Sequence, residues 1–161
     1  MKALVVYDSE FGNTKQVAMV IGGVFESLDE VEVLRVGEVL VEQFKGLDFL
    51  IVGSPTQRFR PTQVTSDFLK RIPKDALQGI PAVAFDTRLT VKEIEDTGVL
   101  AFFVRIFGYA AQPIGKGLKK KGAELVTLPE GFYVEGVKGP LVEDELERAE
   151  AWAREIVAAH R

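Results

Sequence analysis

The sequence predicts an α/β fold, an open and doubly wound parallel sheet of five strands with helices on both faces. Three observations carry this. Short apolar runs rich in β-branched residues recur along the chain, segments with apolar residues at helical spacing separate them, and three of the runs are apolar throughout. A strand that is apolar on both faces is covered on both faces, which is the condition of a parallel sheet between two helix layers.

The predicted strands are Ala3–Tyr7, Val31–Val36, Phe49–Val52 and Ala82–Phe85, with Gly, Pro, Asp or Ser at their edges. A weaker pattern covers Glu124–Leu128, and Phe132-Tyr133-Val134 follows it. The first helix is expected over Thr14–Leu28, where Val17, Val20, Ile21, Val24, Phe25 and Leu28 share one stripe. A second is expected from Thr62 to Arg71 with Val64, Phe68 and Leu69 inward and Pro73 beyond its end. Val99–Lys121 reads as helical but interrupted at Gly108 and Pro113. The last helix follows Gly139-Pro140 and places Leu146, Ala149, Ala153, Ile156 and Val157 on one stripe. With no repeat, low-complexity tract or linker, residues 1–161 are expected to form a single domain.

Composition narrows the function classes. The chain of 161 residues contains no cysteine, which excludes disulfides, thiolate metal sites and a cysteine nucleophile and fits a cytoplasmic location. A formal net charge of −4 gives no electrostatic reason to expect nucleic acid or an anionic membrane as partner. No stretch approaches the roughly 20 apolar residues needed to cross a bilayer. No group of His, Asp and Glu has metal-ligand spacing. His160 reads as a solvated terminal residue and Trp152 as packing.

The chemistry is concentrated at the end of the first strand. Ser9-Glu10-Phe11-Gly12-Asn13-Thr14 joins that strand to the first helix. A phosphate dianion needs several donors converging from one side. Two hydroxyls, the Asn13 amide and the N–H groups of a helix N-terminus supply them, and Gly12 permits a close approach or a positive φ. The loop lacks the Gly-Lys-Ser/Thr ending of a P-loop and is not Gly-x-Gly-x-x-Gly, so it suits a phosphate monoester rather than a triphosphate or dinucleotide.

Val5 to Ile21 reads as two apolar residues, an aromatic, one residue, Ser, two residues, Gly, one residue, Thr, three residues, Ala, two residues and an aliphatic. This string resembles the flavodoxin signature. The resemblance implies strand order 2-1-3-4-5 and bound flavin mononucleotide (FMN). It extends to the loop opening Ser54-Pro55-Thr56, and to Phe132-Tyr133 and Gly139-Pro140 before the last helix. It implies that Pro55, Thr56, Gln57 and Arg58 wrap one side of the flavin ring, with Phe59 as an aromatic candidate for stacking. Asp86, Thr87 and Arg88 would form the other wall. Many flavodoxins carry Gly-Asp and an aromatic there, and this chain has Asp86 alone.

Function follows as an expectation with alternatives. The first is an electron-transfer flavoprotein serving redox partner proteins, as monomer or homodimer. The second is a flavin-dependent oxidoreductase of the NAD(P)H:quinone kind, and the third is a fold relative that has lost flavin. Arg58, Arg60 and Arg88 near the ring, opposed by Asp8, Glu10 and Asp86, are expected to give a midpoint potential less negative than that of a typical flavodoxin. The aromatics Phe102, Phe103, Phe107 and Tyr109 read as core or a dimer face, Glu93, Glu95 and Asp96 as a solvated loop, and the lysines Lys116 and Lys119–Lys121 as a helix end.

Overall fold

Side chains alternate between the two faces of a strand, and here both faces are apolar. Odd-numbered positions of the central strands, Val5, Ile51, Val83 and Phe85, meet one helix layer, while Leu4, Val6, Leu50, Val52 and Ala84 meet the other. The computed structural model describes residues 1–28, 30–90, 98 and 108–160. Phe102, Phe103, Phe107, Glu93, Glu95 and Asp96 lie outside the described residues.

The elements run β1 (Lys2–Tyr7), α1 (Asn13–Phe25), β2 (Glu30–Arg35), β3 (Phe49–Pro55), α2 (Gln63–Arg71), β4 (Pro81–Leu89), α3 (Ala111–Lys120), β5 (Glu124–Leu125), β6 (Glu130–Val134) and α4 (Glu145–Ala159). All strand pairings are parallel. The sheet order is β2-β1-β3-β4-β5, with β6 also beside β4, so two segments fill the fifth position. Between the pairs Ala82–Leu125 and Phe85–Glu130, β4 advances three residues and the fifth position five. An excess of two preserves the alternation of faces, and Phe132 therefore still packs edge-on against Phe85, with ring centroids 6.1 Å apart. The excursion leaves Leu128 85% exposed.

The doubly wound expectation is borne out. α1 and α4 cover one face and α2 and α3 the other. Several details differ from the sequence reading. Val64 is 50% exposed, and Thr65 takes the inward position with Phe68 and Leu69. Pro113 does not interrupt its helix. It is the third residue of α3, where the missing N–H would have had no intrahelical acceptor. His160 is not solvated freely: its Nδ1 lies 2.8 Å from the Ile156 carbonyl and its ring packs edge-on to Phe49 at 5.6 Å. Trp152 packs on Phe132 at 5.9 Å, as expected.

Candidate functional site

A parallel sheet points every strand's carboxyl end, and every following helix's N-terminus, to one edge. Each helix arriving there carries N–H groups without intrahelical acceptors and a positive dipole end. Two of these ends are answered from within the chain. Thr62 caps α2 by accepting the Thr65 N–H, and its own hydroxyl donates to Asp8 Oδ2 at 2.6 Å. Asp86 Oδ2 accepts the N–H of Ala111, the first residue of α3, at 2.9 Å.

Each aspartate is balanced by an arginine. Arg35 at the end of β2 reaches Asp8 Oδ1 at 3.2 Å and also donates to the Ser9 carbonyl. Arg88 clamps Asp86 with Nε at 2.6 Å and Nη2 at 2.8 Å, and its guanidinium lies 3.7 Å over the Tyr109 ring. Burial pushes the Asp86 carboxyl above its ordinary range, while Arg88 and the Ala111 N–H pull in the other direction. Burial likewise raises the Tyr109 hydroxyl, against the lowering effect of Arg88.

The N-terminus of α1 is built differently. Gly12 precedes it at φ 92°, and no acidic residue stands in its first turn. Ser9 Oγ accepts the N–H groups of Gly12 at 3.1 Å and Lys15 at 3.4 Å, and the first helical bond runs from the Gln16 N–H to the Gly12 carbonyl. The Asn13 and Thr14 N–H groups have no acceptor among the described residues. Beside them the buried hydroxyls of Thr14 and Thr87 lie 2.8 Å apart. One O–H satisfies this bond, so the other is a donor left over.

These groups line an inner compartment of about 110 Å³ with Ser9, Asn13, Pro55 and Val134. It opens into an outer compartment of about 1040 Å³ lined by Arg58, Phe59, Arg60, Pro61 and Gln63. Glu10, Phe11, Thr56, Gln57, Leu89 and Val137 border both, so the two form one groove. The inner part alone is smaller than an ordinary ligand pocket of roughly 300 Å³. It suits a head group, with the rest of the molecule outside.

No protein-family model matches the chain, and no curated protein matches it in sequence. Solved structures match it along nearly its whole length. A flavodoxin from the domain Archaea gives a TM-score of 0.74 at 22% identity, over 99% of this chain and 98% of its own. Oxidised flavodoxin 2 from Bacillus cereus gives 0.74 at 21% identity, over 99% of both chains. The fold is flavodoxin-like. A flavodoxin, WrbA-like protein from Agrobacterium tumefaciens is similar over 99% of both chains, at TM-score 0.72 and 16% identity.

Within this flavodoxin-like fold, Ser9, Glu10, Phe11, Asn13, Thr14, Pro55, Thr56, Gln57, Arg58, Phe59, Thr87 and Arg88 all border the groove, and Gly12 turns the chain into it. Their roles separate. The Asn13 amide donates to the Lys138 carbonyl at 3.1 Å and so ties the β6–α4 turn to the loop. Glu10 is held by the Gln57 amide. Asp86 is wholly buried and does not border the groove. Arg88 is committed to Asp86 on the face of β4 opposite Thr87, because positions 86 and 88 share one face.

Gln57 and Arg60 exchange backbone hydrogen bonds of 2.8 and 3.0 Å around Arg58 (φ 47°) and Phe59 (φ 68°). Positive φ at both central residues is the type I′ pattern. Sequence reading missed Arg35, Leu89, Val134 and Val137. The signal for the last three was available, since the ends of β4 and β6 must reach the same edge as those of β1 and β3.

Proposed function

We propose that the chain binds FMN, with the phosphate monoester in the inner compartment and the isoalloxazine ring in the outer one, and serves as an electron carrier. One observation carries the reading: among the described helices that start at this edge, α2 and α3 have internal carboxylates behind their starts and α4 carries Glu145 and Glu147 in its first turn, whereas α1 has no acidic residue there and its N-terminus is left open. Two N–H groups, a spare buried hydroxyl and the positive end of the helix dipole face a compartment of head-group size. This donor set fits a phosphate and does not fit a cation.

When bound, FMN supplies one- and two-electron redox chemistry. The protein's own part is to hold and surround it. The Asn13 and Thr14 N–H groups and the Thr14–Thr87 pair would fix the phosphate, and the Arg35–Asp8–Thr62 chain holds the loop behind it. Thr56, Gln57 and Arg58 border one side of the outer compartment, while Phe11 (44% exposed), Leu89 and Val137 offer apolar surface that would exclude water from the ring.

The test is FMN titration followed by flavin fluorescence, after an absorption spectrum of the purified protein. Thr14→Val and Gly12→Val should each weaken binding at least tenfold, because one removes a buried donor and the other forces an unfavourable φ. Unchanged affinity in both would overturn the phosphate assignment.

A second reading is favoured by the size of the outer compartment, which at about 1040 Å³ is at the upper end for small-molecule sites and has Arg58 and Arg60 on its lining. A nicotinamide substrate could enter there, making the protein a reductase. Rapid anaerobic bleaching of bound flavin by NADH or NADPH would select this reading over the carrier.

A further inference from the structure

The winding that puts α2 and α3 on one face of the sheet gathers charges that are far apart in sequence. Residues 63–75 and 111–121 hold seven lysines and arginines against two aspartates, in a chain whose net charge is −4. Lys70, Arg71, Lys74, Lys116, Lys119 and Lys120 are exposed, and none of them is ion-paired among the described residues. α4 on the other face differs: its Arg148 and Arg154 are both paired with glutamates.

Complementing helix ends accounts for part of this pattern. Lys70 and Arg71 close α2, and Lys119 and Lys120 close α3. Lys74 and Lys116 lie outside those last turns. Between the two helices runs a groove of about 440 Å³ in which Leu69, Pro113 and Gly117 supply apolar surface beside Lys70, Lys74, Lys120 and Lys121.

We propose that this groove docks an acidic protein partner, through a segment that pairs carboxylates with the lysines and lays an apolar side chain between α2 and α3. Charge complementarity selects the class. A nucleic acid carries one charge per about 1.7 Å and would extend past the groove onto a molecule that is otherwise strongly acidic. Among the described residues, no aromatic side chain lines the groove for bases to stack on. Lysines are hydrated point charges on flexible stems, suited to steering and brief contact rather than bidentate phosphate recognition. Pro61 lines both this groove and the outer compartment of the cofactor site, so a partner seated here abuts the mouth of that site. That the partner exchanges electrons rests on the proposed function; the docking itself does not.

The experiment titrates isotope-labelled protein with a synthetic peptide alternating Glu or Asp with Leu, followed by amide chemical shifts. An oligothymidylate, phosphatidylserine vesicles and the peptide's Gln analogue serve as alternative probes. Shifts are expected to centre on residues 66–74 and 113–121, and affinity to fall at least tenfold between about 20 and about 200 mM salt. The double variant K74E/K120E, altered only at exposed positions, should bind at least tenfold more weakly while keeping its melting temperature. Shifts elsewhere, equal binding by K74E/K120E, or tighter binding of the oligonucleotide or vesicles would overturn the proposal. Running each titration with and without added FMN separates the two readings. Groove binding without FMN uptake refutes only the cofactor, and FMN uptake without groove binding refutes only the docking surface.

Discussion

Replacing Arg88 with Met removes the guanidinium that holds Asp86 while keeping a side chain of similar length. Asp86 is wholly buried and makes two hydrogen bonds of 2.6 and 2.8 Å to Arg88, leaving among the described residues only the Ala111 N–H at 2.9 Å once they are gone. Breaking a buried pair from one side costs about 3–5 kcal/mol, because the remaining charge is uncompensated. The Arg88 side chain is 16% exposed, so some water reaches the pair and the lower end of that range applies. At roughly 2–4 °C per kcal/mol for a chain of this size, the melting temperature should fall by about 6–12 °C at pH 7.

The pH dependence fixes the mechanism. Burial already raises the Asp86 carboxyl from its ordinary 3.8. A carboxyl raised on folding contributes stability below its unfolded pKa, and loses it as pH climbs through the folded one. Losing Arg88 raises it further, so R88M and the parent should converge near pH 4 and diverge toward pH 7. Urea unfolding of the parent, R88M and D86N/R88M across this range is the assay, and the double variant should recover at least half of the loss. Equal stability of R88M and the parent at pH 7, or a gap independent of pH, would refute the reasoning.

Other outcomes follow from the same geometry. Gly53→Ala should cost about 1–3 kcal/mol by overpacking, since a Cβ there would fall inside the Phe85 ring that lies across β3 and β4; urea unfolding measures it, and a neutral result would mean that the ring moves freely. Arg58→Gly should stabilise the protein by about 0.5–1 kcal/mol, because a left-handed non-glycine residue stores about 1–2 kcal/mol and glycine returns part of that as chain entropy; an unchanged melting temperature would count against strain in the Gln57–Arg60 turn. With FMN bound, Arg58→Gln/Arg60→Gln should shift the midpoint potential negative, since cations near the ring favour its reduced anionic form; a parent potential as low as that of typical flavodoxins, measured by spectroelectrochemistry, would remove the premise.

The parts of the fold visible in the sequence are those set by local chemistry. Ser9 to Thr14 could be read as the junction of β1 and α1 because its polar residues and Gly12 are consecutive, and the strands because burial on both faces leaves an unbroken apolar run. What escaped depends on contacts across the chain. Asn13 looks like a phosphate ligand in a loop of donors, yet its amide is engaged 125 positions away at Lys138. Arg88 borders the groove, but alternation along β4 puts its side chain on the same face as Asp86, which holds its guanidinium, and leaves Thr87 facing α1. The period-two rule applied to Asp86-Thr87-Arg88 would have divided their roles from sequence. Nothing local marks Arg35 as the partner of Asp8, since parallel pairing of β1 with β2 is what brings them to one edge.

The division between the two faces of the sheet explains why one helix end remains available. Asp8 follows the last residue of β1 and Asp86 lies in the second half of β4, and each supplies negative charge behind a helix of the α2–α3 layer. Arg35 and Arg88 then neutralise the aspartates, so that layer is closed electrostatically and its helix starts have no demand for an outside anion. α1 belongs to the other layer. Its loop spends the Ser9 hydroxyl on Gly12 and Lys15, and the Glu10 carboxylate is turned to Gln57. The positive end of α1 therefore faces a compartment too small for a whole ligand and continuous with one that is large. Placing a carboxylate there, as in Thr87→Asp, would supply internally the charge that the site otherwise takes from a ligand, and should abolish FMN uptake while leaving the two aspartate clamps intact.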